Sequence, residues 1–192
     1  GITACPFLLK KNITNMACTL STGRKVPCKS AVGGIKTIYL ADYGTLGDAT
    51  IVAGEITALA GTPDFFQFDV KGASSLETAI TSSREAGTTF YESTLTMALT
   101  FQDKATQEEL KMIAHARPHI AIEDYNGNFF LIGKDHGAEV TGGSITSGAA
   151  MGDASGYNLT ILAQETAPPF FVTGSVITGD ASAVQIDPTA VV

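Results

Sequence analysis

The sequence predicts a mainly β fold, a β-sandwich or barrel flanked by one α-helix. Three observations lead there. Thr89 to Phe101 shows period-2 alternation over 13 positions, with Tyr91, Leu95, Met97, Leu99 and Phe101 on one face and Glu92, Thr94, Thr96, Ala98 and Thr100 on the other. Turn residues, above all 20 glycines, separate several short apolar runs. Only one segment carries a marked helix signal.

The elements follow in order from Ile35. Ile35 to Ala41 is apolar and β-branched and predicts a strand, and Asp42 to Asp48, with Gly44 and Gly47, predicts a loop. Thr50 to Leu59 and Phe65 to Lys71 predict two more strands around a turn at Gly61-Thr62-Pro63-Asp64, and Leu76 to Ser82 a weaker one. Thr89 to Phe101 would extend roughly 43 Å at about 3.3 Å per residue, far beyond an ordinary strand. Thr106 followed by Glu109 reads as a capping box that opens a helix over 106–117, which Pro118 ends. Asn126-Gly127 between His119–Asp124 and Phe129–Gly133 predicts a hairpin in which both turn residues tolerate positive φ. Residues 138–149 predict a strand and loop, and Tyr157 to Ala163 a core strand with Tyr157, Leu159, Ile161 and Ala163 on one face. The simplest division is an N-terminal arm with peripheral strands (1–34), a sandwich domain (35–169) and a C-terminal arm (170–192).

Composition narrows the function. Hydrophobic residues make up 44% of the chain and charged residues only 16%, against about 25% charged in ordinary domains. A surface so poor in charge predicts that neighbouring copies or partners cover much of it. The net charge is −7, which argues against tight DNA binding, because a grip on phosphate needs a basic surface. The charge is also divided. Residues 1–36 hold Lys10, Lys11, Arg24, Lys25, Lys29 and Lys36 without an acid, and residues 135–192 hold Asp135, Glu139, Asp153, Glu165, Asp180 and Asp187 without a base. That polarity suits head-to-tail contact between copies, as it suits neutralisation within one fold. No apolar stretch is long enough to span a bilayer as a helix, and the first residues lack the order of a signal peptide, so a cytoplasmic protein is expected.

A search for chemistry returns little. Cys5, Cys18 and Cys28 are odd in number and lack Cys-x-x-Cys spacing, so buried thiols are expected. His115 and His119 have the spacing of helical metal ligands, but Pro118 stands between them. His136 falls in a turn, Gly127 to Lys134 misses the phosphate-loop spacing, and Asp42, Asp48 and Glu55 read as hydrated loop acids. No serine nucleophile elbow is present, and the two glycosylation sequons lack a secretory context. The sequence therefore predicts no catalytic residue, no cofactor and no metal.

One resemblance covers roughly 40% of the chain, from Tyr91 to Val172. The long alternating strand, the short helix and the Asn-Gly hairpin are followed by Met151-Gly152-Asp153-Ala154-Ser155-Gly156-Tyr157-Asn158-Leu159-Thr160-Ile161. That run leads into Glu165-Thr166-Ala167-Pro168-Pro169-Phe170-Phe171-Val172. This order resembles the tail tube proteins of long-tailed bacteriophages. The resemblance implies a virion protein, assembled in the host cytoplasm, whose copies form stacked hexameric rings around a channel for DNA ejection. It implies other tail proteins as partners (sheath, tape measure, baseplate), passing contact with double-stranded DNA, and no membrane. Each copy would give about four strands to an inner barrel. Twenty-four strands at about 4.8 Å spacing and 35–45° tilt close to roughly 45–52 Å, leaving a channel of roughly 35–40 Å for a duplex about 20 Å wide. Gln67, Asp69, Glu92, Thr94, Thr96 and Thr100 are the expected lining. Lys10, Lys11, Arg24, Lys25, Phe170 and Phe171 are the expected contacts between copies. The alternatives are another virion component, such as a capsid decoration protein, tail terminator or baseplate ring, and a carbohydrate-binding sandwich, which the absence of Trp disfavours.

Overall fold

The computed structural model describes residues 23–24, 31–70, 73–178 and 181–183. The chain divides into two compact units, Gly1–Ala31 and Val32–Val192. In the first, Gly23, Arg24 and Ala31 are described and all three are exposed. The second is mainly β and forms two sheets.

The larger sheet takes β1 (Ile35–Ala41), β2 (Ala49–Val52), β3 (Glu55–Leu59), β4 (Phe65–Asp69), β7 (His119–Asp124), β8 (Phe129–Ile132), β11 (Phe170–Val172) and β12 (Ala181–Ala183). Its spatial order is β12-β4-β1-β7-β8-β11-β3-β2. The smaller takes β5 (Ser75–Ser83), β6 (Thr88–Thr100), β9 (Glu139–Thr146) and β10 (Gly156–Glu165), in the order β5-β6-β10-β9. All three of its pairings are antiparallel. Among the described residues two helices accompany the sheets, α1 (Lys104–Ile113) and the short α2 (Gly174–Thr178).

The middle of the larger sheet is apolar on both faces, as expected of strands covered on both sides. Ile38, Leu40, Ile120, Ile122 and Ile132 point toward the smaller sheet. They pack there with Leu95, Met97, Leu99, Tyr157 and Ile161 and with Leu110 and Ile113 of α1. The alternate residues Tyr39, Ala41, Ala121 and Leu131 build a second core on the far side, closed by Leu46, Ile56, Phe65, Val172 and Ile177.

Five expectations need correction. The single strand over Thr50–Leu59 is a hairpin, because Ala53 (φ 53°) and Gly54 (φ 88°) both adopt the left-handed conformation of a tight two-residue turn. The helix opens two residues before Thr106. Asp103 is its N-cap, and its carboxylate accepts from the amides of Ala105 (3.0 Å) and Thr106 (3.3 Å). It also ends at Ile113, four residues short of the expected 106–117 boundary. Asp103→Ala should cost about 1 kcal/mol in chemical denaturation, whereas Thr106→Ala should stay within about 0.5 kcal/mol; equal costs would contradict the assignment.

In the Asn-Gly hairpin only Gly127 has positive φ, 79°. Asn126 instead reads the backbone of Val32: its Oδ1 accepts from the Val32 amide (3.0 Å) and its Nδ2 donates to the Val32 carbonyl (2.7 Å). Phe101 leaves the alternation. It is 61% exposed at φ 68°, and its amide donates to the Ser155 carbonyl. Finally, the two described strands of the expected C-terminal arm belong to the chain's own larger sheet. Phe170–Val172 pairs antiparallel with β8 and parallel with β3, and Ala181–Ala183 pairs parallel with β4.

Candidate functional site

The outer face of the four-stranded sheet is the most distinctive surface of the molecule. The register sets its members. Thr96 lies opposite Ser75 and Thr160, Thr94 opposite Glu77 and Leu162, and Glu92 opposite Ala79 and Gln164. On β9, Ser144 stands beside Asn158 and Gly142 beside Thr160. Because side chains alternate across a strand, Leu95, Met97, Tyr157 and Ile161 then face the core. Thr94, Thr96 and Ala98 are half-buried among their neighbours on the open side, and Thr100 is exposed. The expected division of β6 into an apolar and a threonine face holds from Glu92 to Thr100, with Phe101 outside it and Ser93 buried among the apolar residues.

Electrostatically this face is neutral to acidic. None of the four strands contains a Lys or Arg, while Glu77, Glu92 and Glu139 project from the outer side. Glu92 accepts a hydrogen bond from Gln164 Nε2 (2.8 Å), and Glu139 pairs with Arg117 at one end of the sheet (3.2 Å). Its strands offer hydroxyls, amides and carboxylates to water and no cation of their own to a phosphate.

Gln67 and Asp69 do not belong to it. They lie on β4 of the other sheet, opposite Tyr39 and Thr37, and point to the side away from the smaller sheet. Gln67 Nε2 donates to Asp69 Oδ1 (3.0 Å). One surface therefore cannot carry both halves of the expected lining. Their strand alternates much as β6 does, and nothing local in it says which sheet it joins.

The motif behind the resemblance has structural tasks. Asp153 closes the preceding loop by accepting from the amides of Ala149 and Ala150 (both 2.8 Å), which hold its carboxyl below the usual range. Gly156 is required by close approach, since a Cβ there would sit 2.0 Å from the Leu99 carbonyl oxygen. Tyr157 is buried, and its hydroxyl donates to the Asp103 carbonyl (3.2 Å), tying the start of α1 beneath β10.

Lys10, Lys11 and Lys25 lie outside the described residues, as do Cys5, Cys18 and Cys28; Arg24 is exposed. Phe170 is half-buried, with Lys134 Nζ 5.8 Å from its ring centre, and Phe171 is 50% exposed against Phe130. His115 follows α1 and is exposed, whereas His119 opens β7 and is buried, so the two share no helix face. Among the described residues no three His, Cys, Asp or Glu stand close enough to hold a metal, and no helix is long and apolar enough to cross a membrane.

His119 has a structural role that its spacing did not disclose. Nε2 accepts from the Gly44 amide (2.9 Å), which leaves Nδ1 to donate to the Gly133 carbonyl, and the ring stacks on Tyr43. Burial disfavours its cation and lowers its pKa from 6.5, against the raising effect of the Gly133 bond. The unfolded chain therefore takes up this proton first, and stability should fall as the pH drops below about 6.5. Asp124 is pushed up by burial, but hydrogen bonds from Asn128 and Asn126 outweigh that and hold it below 3.8. Asp153 is also held below 3.8, so both act only at more acidic pH. Urea denaturation at pH 7.5 and 5 should show the loss, and His119→Asn should reduce it; an identical pH slope in both proteins would contradict this role.

Comparison with protein-family models, with curated proteins and with solved structures finds no match to this chain.

Proposed function

We propose that this chain is a structural subunit whose copies close into stacked rings, forming the wall of a channel through which double-stranded DNA slides, as in the tail tubes of long-tailed phages. One observation carries the reading. The four-stranded sheet has a hydroxyl-rich face free of Lys and Arg, and among the described residues neither of its edge strands, β5 and β9, has an outer partner. An exposed sheet edge is an open template for another strand, and closure into a barrel removes it. Glutamates and threonines toward a channel would repel or ignore phosphate, which lets a polyanion pass without sticking.

The resemblance in residues 91–172 supports the same reading, since its implied contribution of about four strands per copy is the size of this sheet. The role is passive, and no chemical step is assigned to any residue. Within it, Glu92, Thr94, Thr96 and Thr100 line the channel, joined by Glu77, Asn158 and Thr160. Negative-stain images of concentrated protein should show rings that stack into tubes. Rings that stop at one layer would favour a terminator or decoration role, and monodisperse monomers would exclude both.

A further inference from the structure

Two exposed isoleucines mark the core-facing side of the smaller sheet, one on each free edge. Ile80 of β5 is 67% exposed and Ile145 of β9 is 63% exposed. On the inner strands the core-facing side chains Leu95, Met97 and Ile161 are closed off from water, as are Tyr157 and Leu99 in the row of Ile145. The space under both edges is open as well. A groove of about 430 Å³ lies under β5, lined by Leu76, Ile122, Phe130 and Pro169. A larger one of about 800 Å³ lies under β9, between Val140, Ile145 and Leu159 and the Gln107–Lys111 side of α1.

The two edges are also displaced along the strand direction. Counted in rows of β6, β5 spans Thr88 to Thr96, whereas β9, read through β10, spans Thr94 to Thr100. Their centres lie about five residues apart, and a closed barrel requires a fixed stagger of this kind.

We infer that β5 of one copy pairs antiparallel with β9 of the next at a stagger of four or six residues, burying Ile80 and Ile145 in the joint and roofing the two grooves as one. This deepens the tube reading and rests on it. Antiparallel pairing follows from the even strand count. β5 and β9 run in opposite directions, so adding the next β5 beside β9 continues the alternation. The stagger is even because an odd shift would turn the threonine face of one copy toward the core side of its neighbour. With about 3.3 Å per residue and 4.8 Å per strand, staggers of four and six over four strands tilt the wall by about 35° and 46°. Barrels tilt by about 35–45°. The tilt is independent of the number of copies.

In the four-residue register Leu76 faces Ile145 of the neighbour; in the six-residue register Thr78 does. Two double variants, Leu76→Cys with Ile145→Cys and Thr78→Cys with Ile145→Cys, in a chain with Cys5, Cys18 and Cys28 replaced by Ser, would be assembled and treated with a short bis-maleimide. One of them should give a ladder of cross-linked multimers, and the other should give at least tenfold less. Separately, Ile145→Asp should keep the circular dichroism spectrum and denaturation midpoint, since the side chain is exposed, yet raise the concentration needed for assembly at least tenfold. Tubes that form with neither pair cross-linking, or that form equally well with Ile145→Asp, overturn this joint and leave the tube reading standing. Unsubstituted protein that never assembles overturns the tube reading and the joint together.

Discussion

Tubes assembled from a Thr94→Lys, Thr96→Lys double variant should retain duplex DNA that tubes of the unsubstituted protein release. Both threonines stand on the open face of β6, so lysines there leave the core untouched. They add two ammonium groups per copy, about a dozen in a six-membered ring, to a sheet whose strands otherwise carry none. Binding through that many phosphate contacts releases counterions, so it should weaken by about a thousandfold or more between roughly 50 and 200 mM salt. Filter binding at several salt concentrations would read this directly. Equal, weak retention by both tubes would mean that these positions do not face the channel.

The second large effect separates the two faces of the same strand. Leu95 is fully buried between the sheets, beside Met97 and Ile161. Leu95→Ala should cost about 2–5 kcal/mol of subunit stability, the transfer term plus the cavity it leaves. Thr96→Ala, one residue along and on the open side, should stay within about 0.5 kcal/mol. Urea denaturation of the unassembled subunit would measure both. A large loss at Thr96 or a small one at Leu95 would reverse the assignment of the faces.

That division was legible because period-two alternation is a local property. From Thr94 to Leu99 the residues declare their side by their own chemistry, whereas Phe90 on the open face and the buried Ser93 on the core face do not. The bounds of Ile35–Ala41 were legible for a similar reason: an apolar β-branched run ends at Asp42. The hairpin at Ala53-Gly54 was hidden because alanine rarely adopts positive φ, so the pair does not announce a turn as Asn-Gly does. At Asn126 the signal marked the turn correctly but for another reason, since its amide binds Val32, far away in sequence. The T-x-x-E pattern at Thr106 drew attention from Asp103, whose carboxylate caps the helix.

What the sequence could not disclose was long-range partnership. Gln67 and Asp69 alternate much as the β6 face does, yet their strand pairs with β1, in the other sheet. Phe170–Val172 reads as the start of an apolar tail but fits between β8 and β3. No residue spacing encodes which strands become neighbours. The stagger between β5 and β9, on which the proposed joint depends, likewise appears only once the pairings are known.

The most direct measurement is a cryo-electron microscopy map of the assembled protein, resolved well enough to trace β6. Glu92, Thr94 and Thr96 are predicted to face the channel, with Leu95 and Met97 turned into the wall. A wall with that face on its outside, or a chain that stays solitary at the highest concentrations attainable, would contradict the conduit.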